Sequence, residues 1–318
     1  MDLVGIINRL ILALADAAPL ALVTLAIVLI FRTSFTTNFA QGMIATSAAY
    51  TVTVFYNRYL VIHYPDFNIF LLMMFAFLTG IVVGFIIGVL IDTILIRKSR
   101  YSNILTKQMI TMGLVLFLMG LLPTIFFKAD LNMPSIPRFF TDNIKIAVGD
   151  KFIVMQQNNL YSIITATVVI SIVFIALKYT KWGLGVRSTA SNEKVASMMG
   201  VNTKMITALS WGIAGALGSL GGIMYATTQT VTVALMTEMQ VNGFLAAILG
   251  GFSTFFGPVI GAIIIPILSL ISYILSPMIK IGDSDLGVYY KVFVYLIILI
   301  VILIKPIGLF GKKIAKKV

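Results

Sequence analysis

Long apolar runs alternate with short polar stretches along almost the whole chain. The runs cover residues 17–32, 43–62, 67–96, 108–127, 158–177, 205–226, 243–276 and 288–304. Most are close to the ~20 apolar residues that carry a helix across a bilayer. None alternates polar and apolar positions as the strands of a membrane barrel do. The pattern predicts an all-α, polytopic integral membrane bundle, one domain over residues 1–318. About eight to nine transmembrane segments are expected, some of them broken or re-entrant. Residues 1–15 begin half polar and are expected to lie in the interface ahead of the first span. The run 67–96 is over-long, which predicts tilt or a kink. The run 243–276 is interrupted at Gly250-Gly-Phe-Ser-Thr-Phe-Phe-Gly257-Pro258 and reads as two segments, 241–256 and 258–276.

Residues 128–157, with Pro134 and Pro137, show no helical period and read as an extracytoplasmic loop. Residues 178–204 read as a folded cytoplasmic loop. Within it the spacing predicts one short amphipathic helix over 188–200. Ser188 or Ser191 can cap its start, and Glu193 falls in the first turn, where negative charge suits the helix dipole. Val195, Met198 and Met199 form one stripe at i, i+3 and i+4. Gly200 can take the left-handed conformation that ends a helix. So short a helix is marginal alone in water, so the stripe needs a partner.

Composition sharpens the class. Apolar residues make up 59% of the 318 positions and charged residues 11%, against roughly 25% charged in a soluble domain; mean hydropathy is +1.04. The net charge of +12 is carried by loop residues. Arg97, Lys98, Arg100 and Lys107 fill one loop, Lys178, Lys181, Arg187, Lys194 and Lys204 another, and Lys312, Lys313, Lys316 and Lys317 the tail. That bias places these three segments in the cytoplasm and the N-terminus outside, and membrane anchoring accounts for it without nucleic acid. There is no cysteine and only one histidine, His63. This leaves no cysteine metal site and no Ser-His-Asp constellation, and Gly308–Lys312 lacks the spacing of a phosphate-binding loop. The chain is expected to be non-catalytic and without a cofactor of its own.

Gly80, Gly84 and Gly88, and the glycines of 205–226, repeat at the spacing that lets helix backbones approach closely in lipid. The uncharged break Asn38-Phe-Ala-Gln-Gly42 can present amides to a small polar solute near the midplane. The second break, at Gly250 and Gly251, makes a pair of interruptions of the kind that flanks a substrate path. With Asn242, these residues (Asn38, Gln41, Gly42, Asn242, Gly250, Gly251) form the candidate path. The alternative for the first break is an ordinary turn between spans. Only Asp92 is expected near membrane depth; that scarcity of acidic residues counts against a stand-alone secondary carrier.

Four stretches resemble the branched-chain amino-acid permease family of ABC importers, LivH-type branch. They are Asn38-Phe-Ala-Gln-Gly42; the run from Gly183 through Arg187, Ala190, Asn192 and Ala196 to Gly200-Val201; Leu249-Gly-Gly251 with Gly257 and Gly261; and Pro306-Ile-Gly-Leu-Phe-Gly311. They occur in family order over nearly the whole chain. The resemblance implies a multi-pass protein of the cell membrane that pairs with a second, LivM-like permease or with its own copy. It implies two cytoplasmic ATPase subunits, which carry the ATP and Mg, and an external binding protein. Coupling to the ATPases would fall on Arg187, Asn192, Glu193, Val195, Ala196, Met198, Met199 and Gly200. Gln41 stands where the family usually has histidine, Met43 where an acidic residue is common, Asn242 near a frequent lysine, and Glu193 where proline is common. The first three bear on the solute, and urea or short amides are the alternative cargo. Cysteines introduced at Ser99, Ser191 and Lys316 should react only with reagents that reach the cytoplasm; labelling from outside in intact cells would reverse the orientation.

Overall fold

The computed structural model describes residues 3–99, 103–126, 136–275, 280–281, 284–285 and 290–311. Arg100, Pro134 and the lysines of the tail lie outside the described residues. The chain forms α1 (Leu3–Ser34), α2 (Gln41–Val54), α3 (Val61–His63), α4 (Ile69–Leu90), α5 (Ile104–Phe126), α6 (Gln157–Tyr179), α7 (Lys181–Ser191), α8 (Glu193–Met198), α9 (Thr203–Ala226), α10 (Thr237–Gly250), α11 (Phe256–Leu275) and α12 (Tyr290–Ile304). π-helical turns at Phe55–Leu60 and Ile91–Ile96 extend α2 and α4. Among the described residues, six helices are long and apolar enough to cross a membrane: α1, α4 with its π turn, α5, α6, α9 and α11. The protein is a helical, multi-pass membrane protein.

Two stretches carry more structure than their composition suggests. Residues 3–15 belong to the same helix as the first span, because α1 runs unbroken from Leu3 with Pro19 inside it. Ala13, Ala15, Ala17 and Ala18 carry the helix through, alanine having the highest helix propensity. The loop 128–157 is not structureless. It holds an antiparallel hairpin, β1 (Asn143–Val148) with β2 (Lys151–Gln156), in register from Asn143 opposite Gln156 to Val148 opposite Lys151. Gly149, at φ 62°, opens its two-residue turn, the left-handed geometry such hairpins need. Asn8 of α1 pins the hairpin: its Nδ2 donates to the Phe152 carbonyl and its Oδ1 accepts from the Val154 N–H. A second small hairpin pairs β3 (Lys280–Ile281) with β4 (Ser284–Asp285).

The bundle has a centre and a rim. The apolar windows of α1 and α9 are 83% and 72% buried, whereas those of α5 and α6 are 17% buried. Residues 17–30 of α1 are all enclosed. The rim helices turn Leu116, Phe117, Ile172, Ile175, Leu299 and Leu303 outward, as a hydrocarbon solvent requires.

Glycines set how closely the central helices approach. A side chain at Gly84 would strike Ser219 and the Gly215 carbonyl; one at Gly88 would strike the Trp211 carbonyl. On α9, Gly215 faces back onto Gly84, while Gly218 and Gly222 face Gln41 and Ala45 of α2, and Gly221 meets the Pro19 carbonyl of α1. The small-residue stripes are therefore backbone contacts, the close approach that packs helices in lipid. Gly84→Ala should lower stability by about 1–3 kcal/mol, because the added methyl overpacks a backbone contact. Gly113→Ala, which meets open space, should gain up to about 1 kcal/mol. Thermal unfolding of the purified chain in detergent would read the opposite signs.

Candidate functional site

Between α1 and α2 the chain leaves helical geometry for a few residues inside the bundle. Phe35 takes φ 50°, a left-handed conformation uncommon for a bulky side chain. Backbone here cannot turn to water, so its polar groups must be met by protein. The Phe39 N–H donates to Thr111 Oγ1, and the Phe39 carbonyl accepts from Gln240 Nε2. The other end of the same amide, Gln240 Oε1, accepts from the Gly42 N–H. Asn38 Oδ1 accepts from the Ala40 N–H, and Asn38 Nδ2 donates to Gln41 Oε1 at 3.1 Å. Gln41 Nε2 donates to the Ala214 carbonyl of α9 at 2.9 Å. Asn38 and Gln41 are fully buried, and in this structure both amides are spent on the protein.

The other candidate path residues lie elsewhere. Gly250 abuts Gly257 and Pro258 at the start of α11, and Gly251, at φ 97°, faces Ile307 and Gly311. The Leu309 N–H donates to the Leu249 carbonyl and the Phe310 N–H to the Gly250 carbonyl. The second break is thus locked to the 306–311 turn. Asn242 accepts from the Tyr295 hydroxyl at 3.4 Å and lines a cavity of about 430 Å³ between α1, α9, α10, α11 and α12. Asn38, Gln41 and Gly42 are brought together, Asn242 sits on the cavity, and Gly250 and Gly251 belong to a third place.

The loop 178–204 folds differently from the expected single helix. It holds two helices, α7 and α8, separated at Asn192, whose extended backbone (φ −161°) ends one and starts the other. Thr180 caps α7 by accepting from the Gly183 N–H. Asn192 Oδ1 caps α8 by accepting from the Val195 N–H at 3.2 Å. Ser188 and Ser191 are not caps: both lie at the end of α7, and Ser188 Oγ donates back to the Leu184 carbonyl. Glu193 does stand in the first turn of α8. At its far end the Val201 N–H donates to the Ala196 carbonyl and the Gly200 N–H to the Ser197 carbonyl, with Gly200 at φ 84°. That bond pair is the Schellman stop. Ala196 alone is buried, beneath α8, while Val195, Met198 and Met199 are 52%, 84% and 80% exposed. Arg187 donates to the Lys178 carbonyl at the end of α6. Below α8 the start of α9 is tied to α4: Arg97 Nη2 lies 2.6 Å from both Asp92 Oδ2 and the Lys204 carbonyl. Asp92 also accepts from Thr207.

Against this geometry, a model of the family described as Branched-chain amino acid transport system / permease component matches residues 9–303. The chain belongs to this permease family. The high-affinity branched-chain amino acid transport system permease protein LivH of Escherichia coli (strain K12) is 27% identical over 260 residues, 78% of this chain and 77% of that protein. The LivH of Methanocaldococcus jannaschii is 25% identical over 297 residues, 92% of this chain and 88% of that one. Among solved structures, PsaBC from Streptococcus pneumoniae in complex with Fab superposes with a TM-score of 0.45 at 12% identity, covering 92% of this chain and 91% of that chain.

Sequence reasoning missed one acidic residue of this permease. Asp16 lies inside α1 and on the cavity wall. Placing the first span at 17–32 left it just outside the membrane; the helix-forming alanines on both sides were the signal that the span began earlier. Gln240 was also missed, although an amide nearly three turns before Gly250 on an apolar helix needs a buried partner. Gln41→Leu leaves the buried Asn38 amide without its partner and strips the Ala214 carbonyl of its second bond, and should cost about 1–3 kcal/mol. Gly218→Ala drives a methyl into the same amide and should cost a similar amount. Because both act on one contact, the double variant should lose less than the sum, read as shifts in unfolding midpoint; simple additivity would mean the amide is not the shared contact.

Proposed function

We propose that this chain is the membrane-embedded permease subunit of an ABC importer for branched-chain or related small amino acids. Family membership supports the class, and the names of its relatives support the cargo. In this reading an external binding protein delivers the solute at the end of the bundle away from α8. A second permease, LivM-like or another copy of this chain, completes the path. Two separate ATPase subunits, which hold the ATP and Mg, dock on the α7–α8 face; the chain itself does not hydrolyse ATP.

The observation that carries the coupling part is the α8 stripe. Val195, Met198 and Met199 stand exposed on a six-residue helix capped at both ends by Asn192 and Gly200. This helix joins α9, a central helix, through only the four residues from Met199 to Asn202. Methionine suits a partner groove because its thioether is flexible and polarizable. Arg187, by holding α7 to the end of α6, fixes the platform from which α8 projects.

Met199→Asp replaces about 1.5–3 kcal/mol of side-chain burial with an unpaired carboxylate in an apolar groove. It should weaken co-purification with the ATPase at least about tenfold and abolish solute-stimulated ATP hydrolysis, while the variant still inserts, since no span is touched. Gly200→Val should act through backbone strain alone, because open space surrounds the position, at a cost of about 1–3 kcal/mol. Full ATPase binding and full coupled hydrolysis by Met199→Asp would sink the docking role. Leucine, urea and acetamide uptake by the assembled transporter separates the amino-acid cargo from the amide alternative.

A further inference from the structure

The 430 Å³ cavity lies at the end of the bundle away from α7 and α8. It is in the size range of small-molecule sites. Four charged side chains line it: Arg9 and Asp16 from α1, Glu238 from α10 and Lys291 from α12. Two of them satisfy each other, with Lys291 Nζ 2.6 Å from Glu238 Oε1. Arg9 is held in place by Tyr273, its guanidinium 4.2 Å above the ring and its Nη2 3.2 Å from the hydroxyl. Asp16 has no hydrogen bond and no ion pair among the described residues, and it is open to the cavity. A carboxylate within a membrane helix is costly and marks a site by default.

Arg9 and Asp16 are seven residues apart on one helix, two turns and about 10 Å of rise, and so share a face. Leu20, Ile265, Leu270 and Val294 line the same cavity. A net-neutral wall that keeps one anion and one cation available on a common face, with apolar surface beside them, matches a ligand carrying one charge of each sign. We propose that this cavity binds a small zwitterion, an aliphatic α-amino acid. Its ammonium sits on Asp16, its carboxylate meets Arg9, and its side chain lies among the four aliphatic residues. The zwitterion class rests on the charges alone; the choice of an aliphatic amino acid rests on the permease reading above. A zwitterionic lipid headgroup carries the same charges, so the test separates the two sources.

The test uses the full chain in nanodiscs of phosphatidylglycerol, with and without phosphatidylethanolamine. It is titrated calorimetrically with L-leucine, with leucinamide (ammonium only) and with 4-methylpentanoate (carboxylate only). Asp16→Asn should weaken leucine and leucinamide at least tenfold and leave 4-methylpentanoate unchanged. Arg9→Gln should weaken leucine and 4-methylpentanoate and spare leucinamide, and Arg9→Lys should restore part of the loss. A merely structural role would weaken all three probes alike, and that outcome overturns the proposal. So does loss of leucine binding whenever phosphatidylethanolamine is present, which would make the cavity a lipid site. Leucine uptake by the assembled transporter is measured in parallel. Uptake unchanged by Asp16→Asn and Arg9→Gln sinks the cavity and leaves the permease reading standing. A wild-type transporter that moves no leucine, with the charge-selective binding pattern intact, sinks the cargo reading and leaves the cavity.

Discussion

Peptide groups inside a hydrocarbon slab have nowhere to turn but to the protein itself. The irregular stretches inside the bundle of this permease are shaped by that constraint. The chain between α1 and α2 leaves helical geometry only where Gln240, Asn38 and Thr111 converge on its backbone, with Gln41 holding the Asn38 amide in place. The break after Gly250 survives because the 306–311 turn returns to take its carbonyls. Gln240, Asn38 and Thr111 are retained there because each supplies a bond that the broken helix no longer makes. The consequence is architectural: α2 can begin part-way through the bundle, against the glycine face of α9, instead of at a membrane surface.

The α9 helix then serves three neighbours at once. Its glycines divide among α4, α2 and α1, so it packs closely on all of them and can shift against none of them independently. Its first turn is capped by Asn202, whose Oδ1 accepts from the Met205 N–H, and is latched to α4 through Arg97 and Asp92. A displacement at α8 therefore reaches the centre of the bundle through four residues of turn and an ion pair whose carboxylate is buried and whose arginine is partly exposed. The pair and its bond to the Lys204 carbonyl keep this junction stiff.

Much of this was legible in the sequence. The apolar runs located the long helices within a few residues except at the start of α1, because a bilayer imposes a length that no soluble core imposes. The glycine spacing announced backbone contact, and Gly200 announced a left-handed stop. What was not legible has specific physical reasons. Asn192 is an adequate helix residue as well as a good cap, so composition could not show that 181–198 is two helices. The β1–β2 hairpin hid behind charged positions, although Gly149-Asp150 between alternating apolar residues carried its turn. Pairings such as Gln41 with Ala214, or Arg9 with Tyr273, join residues more than 170 positions apart, and no local periodicity encodes them. Asp16 was misplaced because polarity was allowed to end a helix that alanine propensity extends.

The enclosure of α1 has a consequence for how the protein is made. The α1 helix leaves the ribosome before its partners and is among the most buried in the finished molecule, and the partners that cover it include α9, α10 and α11. At about 5–20 residues per second, more than ten seconds pass between synthesis of α1 and completion of α11. Throughout that interval α1, with an ionisable residue in its middle, must reside in lipid or beside the insertion machinery without its final neighbours. The high apolarity of 17–30, which the finished bundle does not need for contact with lipid, is what keeps the nascent helix in the membrane until the rest of the chain arrives.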